Sequence, residues 1–566
     1  MSKATIPTAS LRPPSDIMRL AVLGGFCQTR LSFMRVLLRR LKKEQWRFSR
    51  PQWQIDAAGI GYAVYEARTP SRVYSLLVFS HKPPPLRSDR VIAEAWDATF
   101  TLFDGVPTAD DLRQMAAQVS KQEAGRQRAQ QFVLSRANRS TRLFAYVVDC
   151  LANGTQPAMA RLAEVGYLMR TTAVYGNGKF GLADRSRVAA RPEFTTPFQA
   201  ELLAVWLFRA FPIDLAEHLA ATKNPQAVKL SPPQRRLLGI GNSTGLGMAP
   251  FLIAHPALLH CWIAARETAL ARVRALPAAD KKTEFMEFLA RAQLGVTMWQ
   301  TADEQQQRRI KQLSADLQKA AQQADTLLRQ KYPWEALHQW SDAHLHTEGR
   351  EMLVSLIIEP HGDLTDDLAE QMAFDEDSLF VLDGRPTVAE YLAILRRRYA
   401  WIWREDFSQS AANARFWYVS EEKLEPRLGE RYEEAGADVE LPLSVMRDMQ
   451  FFWRDLEGAV ADETLGGFLA RQPQYRHLAR RAQTAERFPY GEIQDNLISA
   501  KMLPLDLLRC KLSFFGATKF DPRSDRWLRI TMYQDAPYAD ELADCAADDW
   551  AWPPLSASFL QNAGHG

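Results

Sequence analysis

Two stretches of this chain superpose at a constant offset of 279 residues, and an internal repeat of that kind narrows the available folds more than composition does. Tyr74-Ser75-Leu76-Leu77-Val78-Phe79 falls on Leu353-Val354-Ser355-Leu356-Ile357-Ile358. The segment from Thr99 to Thr108 falls without a gap on that from Ser378 to Thr387. Phe144-Ala145-Tyr146-Val147 then meets Phe416-Trp417-Tyr418-Val419, and Arg161, Glu164 and Gly166 meet Arg431, Glu434 and Gly436 at an offset of 270. The shorter offset is what loop deletions in the second copy produce.

Each copy reads locally as strand, turn and helix. An apolar, β-rich run ends at Asp-Gly, which suits the positive φ of a tight turn. Pro-Thr then opens a helix. Thr108 with Asp111, and Thr387 with Glu390, have the spacing of a capping box, in which hydroxyl and carboxylate satisfy orphan N–H groups. Behind the caps, Leu112, Met115 and Ala116 recur as Tyr391, Ile394 and Leu395, one apolar face at helical period. A further strand is expected near 142–148 and again near 415–420.

These readings predict an α+β protein of internally duplicated α/β sandwich modules with large helical insertions. The expected units are an N-terminal helical segment (1–54), a first α+β module (55–194) and a helical region with a heptad-like helix (195–344). A second module repeating the first (345–445) and a C-terminal helical region and tail (446–566) follow. In the first helical region Ile310, Leu313, Leu317, Ala320, Ala324 and Leu327 step by three and four, a seam for packing within the chain or for a homodimer. Trp527-Leu528-Arg529-Ile530-Thr531 reads as a strand near the end.

Composition bounds the function classes. At 566 residues the chain has length for about three to four domain-sized units. Seventy Lys and Arg against 67 Asp and Glu leave a net charge of +3, so no overall field recruits nucleic acid or an anionic membrane. Five scattered cysteines without a CxxC pair point to a reduced, cytoplasmic setting and to no cysteine-based zinc site. The apolar run from Leu20 to Cys27 lacks the small residues of a cleavage site, and Ala249 to Ala265 is interrupted by Pro250, His255, Pro256 and His260. No membrane span is expected, and the second run reads as a buried helix.

Two glycine-rich segments are the leading candidates for binding. Tyr175-Gly176-Asn177-Gly178-Lys179-Phe180-Gly181 contains GxGxxG, but Pro192 and a poorly amphipathic sequence follow where a dinucleotide fold needs a helix. Its backbone N–H groups, with Asn177 and Lys179, suit an anion. Gly239-Ile240-Gly241-Asn242-Ser243-Thr244-Gly245-Leu246-Gly247 reads as a loop serving close approach by a backbone or a ligand, with Asn242, Ser243 and Thr244 as extra donors.

Arginines complete the anion-binding set. Arg30, beside Gln28, lies among apolar residues and needs either an internal carboxylate or a substrate. Arg523 belongs to a charged loop, Lys519 to Trp527, that either satisfies itself or clamps a ligand. His338, Asp342, His344, His346 and Glu348 fall within eleven residues, and His344 and His346 would share one side of a strand. A polar linker explains them equally well, and no metal site is assigned. His255 and His260 adjoin Cys261 and read as core histidines before a Cys–His pair.

The resulting expectation is a soluble, cytoplasmic enzyme acting on a small anionic carboxylate or phosphate ester in a cleft between two halves. Arg30, Gln28, Asn177, Asn242, Ser243, Thr244 and Arg523 would bind the anion. Lys179 or Tyr175 would move a proton in a lyase- or isomerase-type step. The sequence names no cofactor. The alternatives are a non-catalytic ligand-binding or assembly subunit, and a flavin or nicotinamide oxidoreductase of non-Rossmann type.

Overall fold

The computed structural model describes residues 10–23, 29–82, 96–118, 130–171, 188, 190–196, 198–243, 256–297, 299, 301, 304–372, 381–404, 406–407, 416–419, 426–429, 439–442, 445–494, 516, 519–522 and 528–544. Its centre is a nine-stranded sheet in the order β1-β2-β3-β4-β5-β6-β7-β12-β11. The strands are β1 (Arg47–Ile55), β2 (Gly61–Arg68), β3 (Val73–Ser80), β4 (Ala98–Asp104), β5 (Gln131–Arg139), β6 (Tyr167–Thr171), β7 (Gly239–Ser243), β11 (Lys519–Pro522) and β12 (Leu528–Met532). All neighbours are antiparallel except β6 and β7, which run parallel. A second, three-stranded sheet pairs β8 (Phe416–Val419) with β9 (Pro426–Gly429) and β10 (Val439–Pro442).

The helices include α1 (Phe33–Lys43), α2 (Ala109–Gln118), α3 (Phe144–Ala152), α4 (Gln199–Phe208), α5 (Ala210–Lys223), α6 (Pro256–Arg274) and α7 (Lys282–Thr297). There follow α8 (Glu304–Leu327), α9 (Pro333–His344), α10 (Thr347–Ile358), α11 (Val388–Tyr399), α12 (Val445–Glu457), α13 (Leu465–Arg471) and α14 (Arg476–Arg487).

Period-two alternation divides the strands between two apolar layers. Ala63, Tyr65, Leu76, Val78, Phe100 and Leu102 face the main core, where α4 packs on β3, β4 and β5 and Phe208 stacks on Phe100 at 4.1 Å. Val64, Leu77, Phe79 and Phe103 face the other way, onto Leu112 and Met115 of α2. Burial on both faces explains why β3 and β4 read as continuous apolar runs. The main core continues into α6 to α10, while α11 to α14 enclose a separate cluster around Tyr391, Tyr399, Phe452, Trp453 and Leu478.

The α+β class holds, but the structure does not show the duplication. Tyr74–Phe79 is strand β3, whereas Leu353–Ile358 lies in α10; Phe144–Val147 opens helix α3, whereas Phe416–Val419 is strand β8. Short apolar runs carry no period of their own and adopt whichever element their surroundings bury. Every residue from Glu351 to Ile358 is buried, so neither alternation nor a helical stripe was there to read. What the two copies do share is local: both capping boxes form. Thr108 N–H donates to Asp111 at 2.9 Å and Asp111 N–H to Thr108 Oγ1 at 3.1 Å. Thr387 N–H donates to Glu390 at 2.8 Å, with the return bond at 3.2 Å.

The heptad-like seam is buried inside the chain. Leu313, Leu317, Ala320 and Ala324 of α8 pack against α7, α9 and α10. His344 and His346 do not share a strand: His344 closes α9 and His346 precedes α10. Among the described residues no helix is long and apolar enough to cross a membrane.

Candidate functional site

Parallel pairing of β6 with β7 requires a crossover, and α4 and α5 lie within it. The register sets Thr171 beside Asn242, so the two strands stop at the same end of the sheet. The segment containing Tyr175, Asn177 and Lys179 leaves from Thr171, and the one containing Thr244 leaves from Ser243. Antiparallel β12 sets Arg529 opposite Ser243, and Pro522 pairs with Leu528, so the β11–β12 connection bearing Arg523 starts from that end too. Tyr175, Asn177, Lys179, Thr244, Arg523 and Gln28 themselves lie outside the described residues. Three segments singled out from sequence therefore depart from one edge, and the carboxyl ends of parallel strands are a recurrent place for ligands.

The second glycine-rich segment is not all loop, because Gly239 to Ser243 form β7. Its glycines answer to backbone and ring approach. A Cβ on Gly239 would lie 2.2 Å from the Met532 carbonyl oxygen, and one on Gly241 would lie 2.6 Å from the Tyr167 ring. Asn242 and Ser243 are thus strand residues, with backbones engaged by β6 and β12.

Polar side chains gather beside this edge. Arg136 pairs with Thr99 and Asn138 with Arg170, which puts all four on the sheet face opposite the main core. Arg136 and Arg170 are each 7% exposed, and the Arg136 guanidinium lies over the Trp96 ring at 5.6 Å. Two guanidinium groups on neighbouring strands thus bring positive charge to this face. On the core face Ser135 and Thr171 place their hydroxyls 3.0 Å apart, and Thr171 donates to the Arg136 carbonyl at 3.0 Å.

His81 joins this face, with Nε2 3.0 Å from Thr99 Oγ1. Burial lowers its pKa to about 4, aided by Arg136 and opposed by Asp97, so the imidazole is neutral near pH 7. Asp97 accepts from the Arg139 N–H at 2.7 Å, and its own N–H donates to Asn138 Oδ1 at 3.3 Å. His81, Arg136 and Arg170 escape the sequence reading. Gln131–Arg139 is buried along its whole length and mixes polar with apolar residues on both faces, so no alternation marked it as a strand.

Arg30 is held elsewhere. Its Nε and Nη2 donate to Asp366 at 2.6 and 2.8 Å, and Nη1 lies 3.8 Å from Glu359. The internal-carboxylate alternative is therefore the one occupied. The neighbouring Arg35 is fully buried and bidentate on Glu359 at 2.6 and 2.5 Å. His260 accepts from the Tyr490 N–H at 3.1 Å and stacks on its ring, and burial lowers its pKa to about 4. That is a histidine satisfied within the packing. His255 lies outside the described residues, among which no group of three or more His, Cys, Asp or Glu is placed to hold a metal ion.

Comparison with protein-family models, with curated proteins and with solved structures finds no match to this chain.

Proposed function

We propose that the protein is a cytoplasmic enzyme acting on a small anionic organic molecule, a carboxylate or phosphate ester, by proton transfer at the carboxyl end of β6 and β7. The observation carrying this reading is the departure of three candidate segments from one sheet edge beside Arg136 and Arg170. Paired guanidinium groups recognise planar or tetrahedral oxyanions through several N–H donors at once. They would also stabilise charge developing on an enolate or alkoxide.

In this proposal Asn177, Asn242, Ser243, Thr244 and Arg523 contribute donors by their place in the sequence, and Tyr175 or Lys179 moves the proton. His81, neutral near pH 7, is a further general-base candidate. Arg30, tied to Asp366, takes a structural part in place of a binding one. The runner-up readings remain a non-catalytic binding or assembly subunit and a flavin or nicotinamide oxidoreductase.

Native purified protein should be examined first by absorption and by mass spectrometry of the small molecules it releases. Thermal shift against organic acids and phosphate esters follows. At least one anion should raise Tm, the rise should vanish in Lys179→Ala, and it should shrink in Arg170→Lys without a large change in the ligand-free Tm. A released flavin or nicotinamide would transfer the reading to redox chemistry. A Tm rise untouched by both substitutions would remove the site.

A further inference from the structure

A second cleft lies far along the chain from that sheet edge, where the N-terminal segment crosses α6, α9 and α10. It holds about 340 Å3 and is lined chiefly by Arg12, Asp16, Arg274, His338, Asp342 and Arg350. Arg12 anchors its floor: Nε and Nη2 donate to Glu267 at 2.8 and 2.9 Å, and Nη1 and Nη2 to Glu351 at 2.6 and 3.2 Å. Those donors are spent. The others are not.

Arg350 makes no side-chain hydrogen bond to the described residues. Nη1 stands 3.5 Å from Asp342 and Nε 3.8 Å from Glu351, and the buried Nε has no hydrogen-bond acceptor. Arg274 uses Nε and Nη2 on Glu335, leaving Nη1 over. His338, with a side chain only 4% exposed, has no hydrogen bond at either ring nitrogen; Nδ1 is 3.5 Å from Asp342. A buried imidazole bonded at neither nitrogen, beside a guanidinium whose buried Nε lacks an acceptor, is costly unless something else bonds to them.

The geometry points to an oxyanion site: we propose that this cleft takes the carboxylate or phosphate group of a small ligand, with Arg350 and Arg274 as anchors and His338 as a donor. A divalent cation fits worse, because Asp342 already faces the Arg350 guanidinium, and among the described residues no group of three or more His, Cys, Asp or Glu is placed to hold a metal ion. The neighbouring hollow makes the contrast. Arg350 borders it too, but there His346 lies 3.1 Å from Asp316 and Arg309 donates to Glu348 at 2.6 Å, so its other charged groups are paired with one another.

Binding would also draw in a proton. Burial, Arg274 and Arg12 hold His338 neutral, against Asp342 and Glu335 on its own helix. An oxyanion in the cleft adds the negative charge that favours imidazolium. Affinity should therefore rise as pH falls.

Sulfate and acetate are suitable probes, since both stay ionised from about pH 6 to about pH 8, and they separate a tetrahedral from a planar preference. Calorimetric titration of the full chain should show binding, stronger at the lower pH and accompanied by proton uptake. Arg350→Gln should weaken it about tenfold. His338→Gln should bind with little pH dependence, and the His338 ring resonances should move on titration of the parent protein. Lys179→Ala should bind as the parent does, which separates this cleft from the sheet-edge site. Binding of neither probe, or undiminished binding by an Arg350→Gln variant that melts like the parent, would overturn the proposal.

Discussion

Asp535 should make the protein less stable as pH rises from weakly acidic to neutral, and Asp535→Asn should abolish that loss. The residue is 8% exposed and adopts φ 63°, its N–H donating to the Arg236 carbonyl at 2.7 Å, while Oδ1 has no hydrogen-bond partner. The adjacent Arg209 offers it no direct bond, because that guanidinium donates to the carbonyls of Leu238, Ala536 and Arg236 at 2.7, 2.6 and 3.3 Å. Burial therefore outweighs the pull of Arg209, Arg236 and Arg291 and pushes the Asp535 carboxyl up to about 6, from 3.8. Since the folded value exceeds the unfolded one, the folded state holds the extra proton. The associated stability is fully present below about pH 4 and is lost as pH rises through about 6. A shift of that size corresponds to at most about 3 kcal/mol. Asn keeps the shape, removes the charge and tolerates positive φ well. Urea unfolding at about pH 4 and about pH 7 should find the variant more stable than the parent by about 1–3 kcal/mol at neutral pH only. Equal destabilisation at both values would mean that the three arginines hold the carboxylate charged, and the reasoning would fail.

Three further substitutions test the packing. Gly241→Ala forces a methyl into the Tyr167 ring and should lower stability by about 1–3 kcal/mol, read as a fall in Tm and in sheet amide protection. Glu359→Gln strips Arg35 of its bidentate carboxylate inside the core and should cost about 3–5 kcal/mol in denaturant unfolding, whereas the same change at exposed Glu164 should cost almost nothing. Thr387→Ala removes the side-chain half of the capping box, the acceptor for the Glu390 N–H, and should cost about 1 kcal/mol, with faster hydrogen exchange concentrated in the first turn of α11.

Local signals survived into the structure. The two capping boxes, the buried stripe of α8 and the late strand at Leu528–Met532 depend on residues three or four positions apart, or on simple alternation, and each formed where the residues called for it. The clustering of the glycine-rich segments was legible only as composition. That Gly239 and Gly241 serve a carbonyl of β12 and a ring of β6, and that the segments leave a common edge, depends on strands far apart in the chain.

The sequence by itself determined the α+β class, the caps, and the need of Arg30 for a negative partner, because propensity, period and desolvation act within a few residues. Tertiary structure alone decided the rest. It turned Leu353–Ile358 into helix and the similar Tyr74–Phe79 into strand, because an apolar run takes its conformation from the layers that bury it. It chose Asp366 for Arg30 and Glu267 and Glu351 for Arg12. It also set Arg136 and Arg170 on one face of neighbouring strands and left His338 without a hydrogen bond at a cleft, arrangements fixed by strand register and by packing between distant segments.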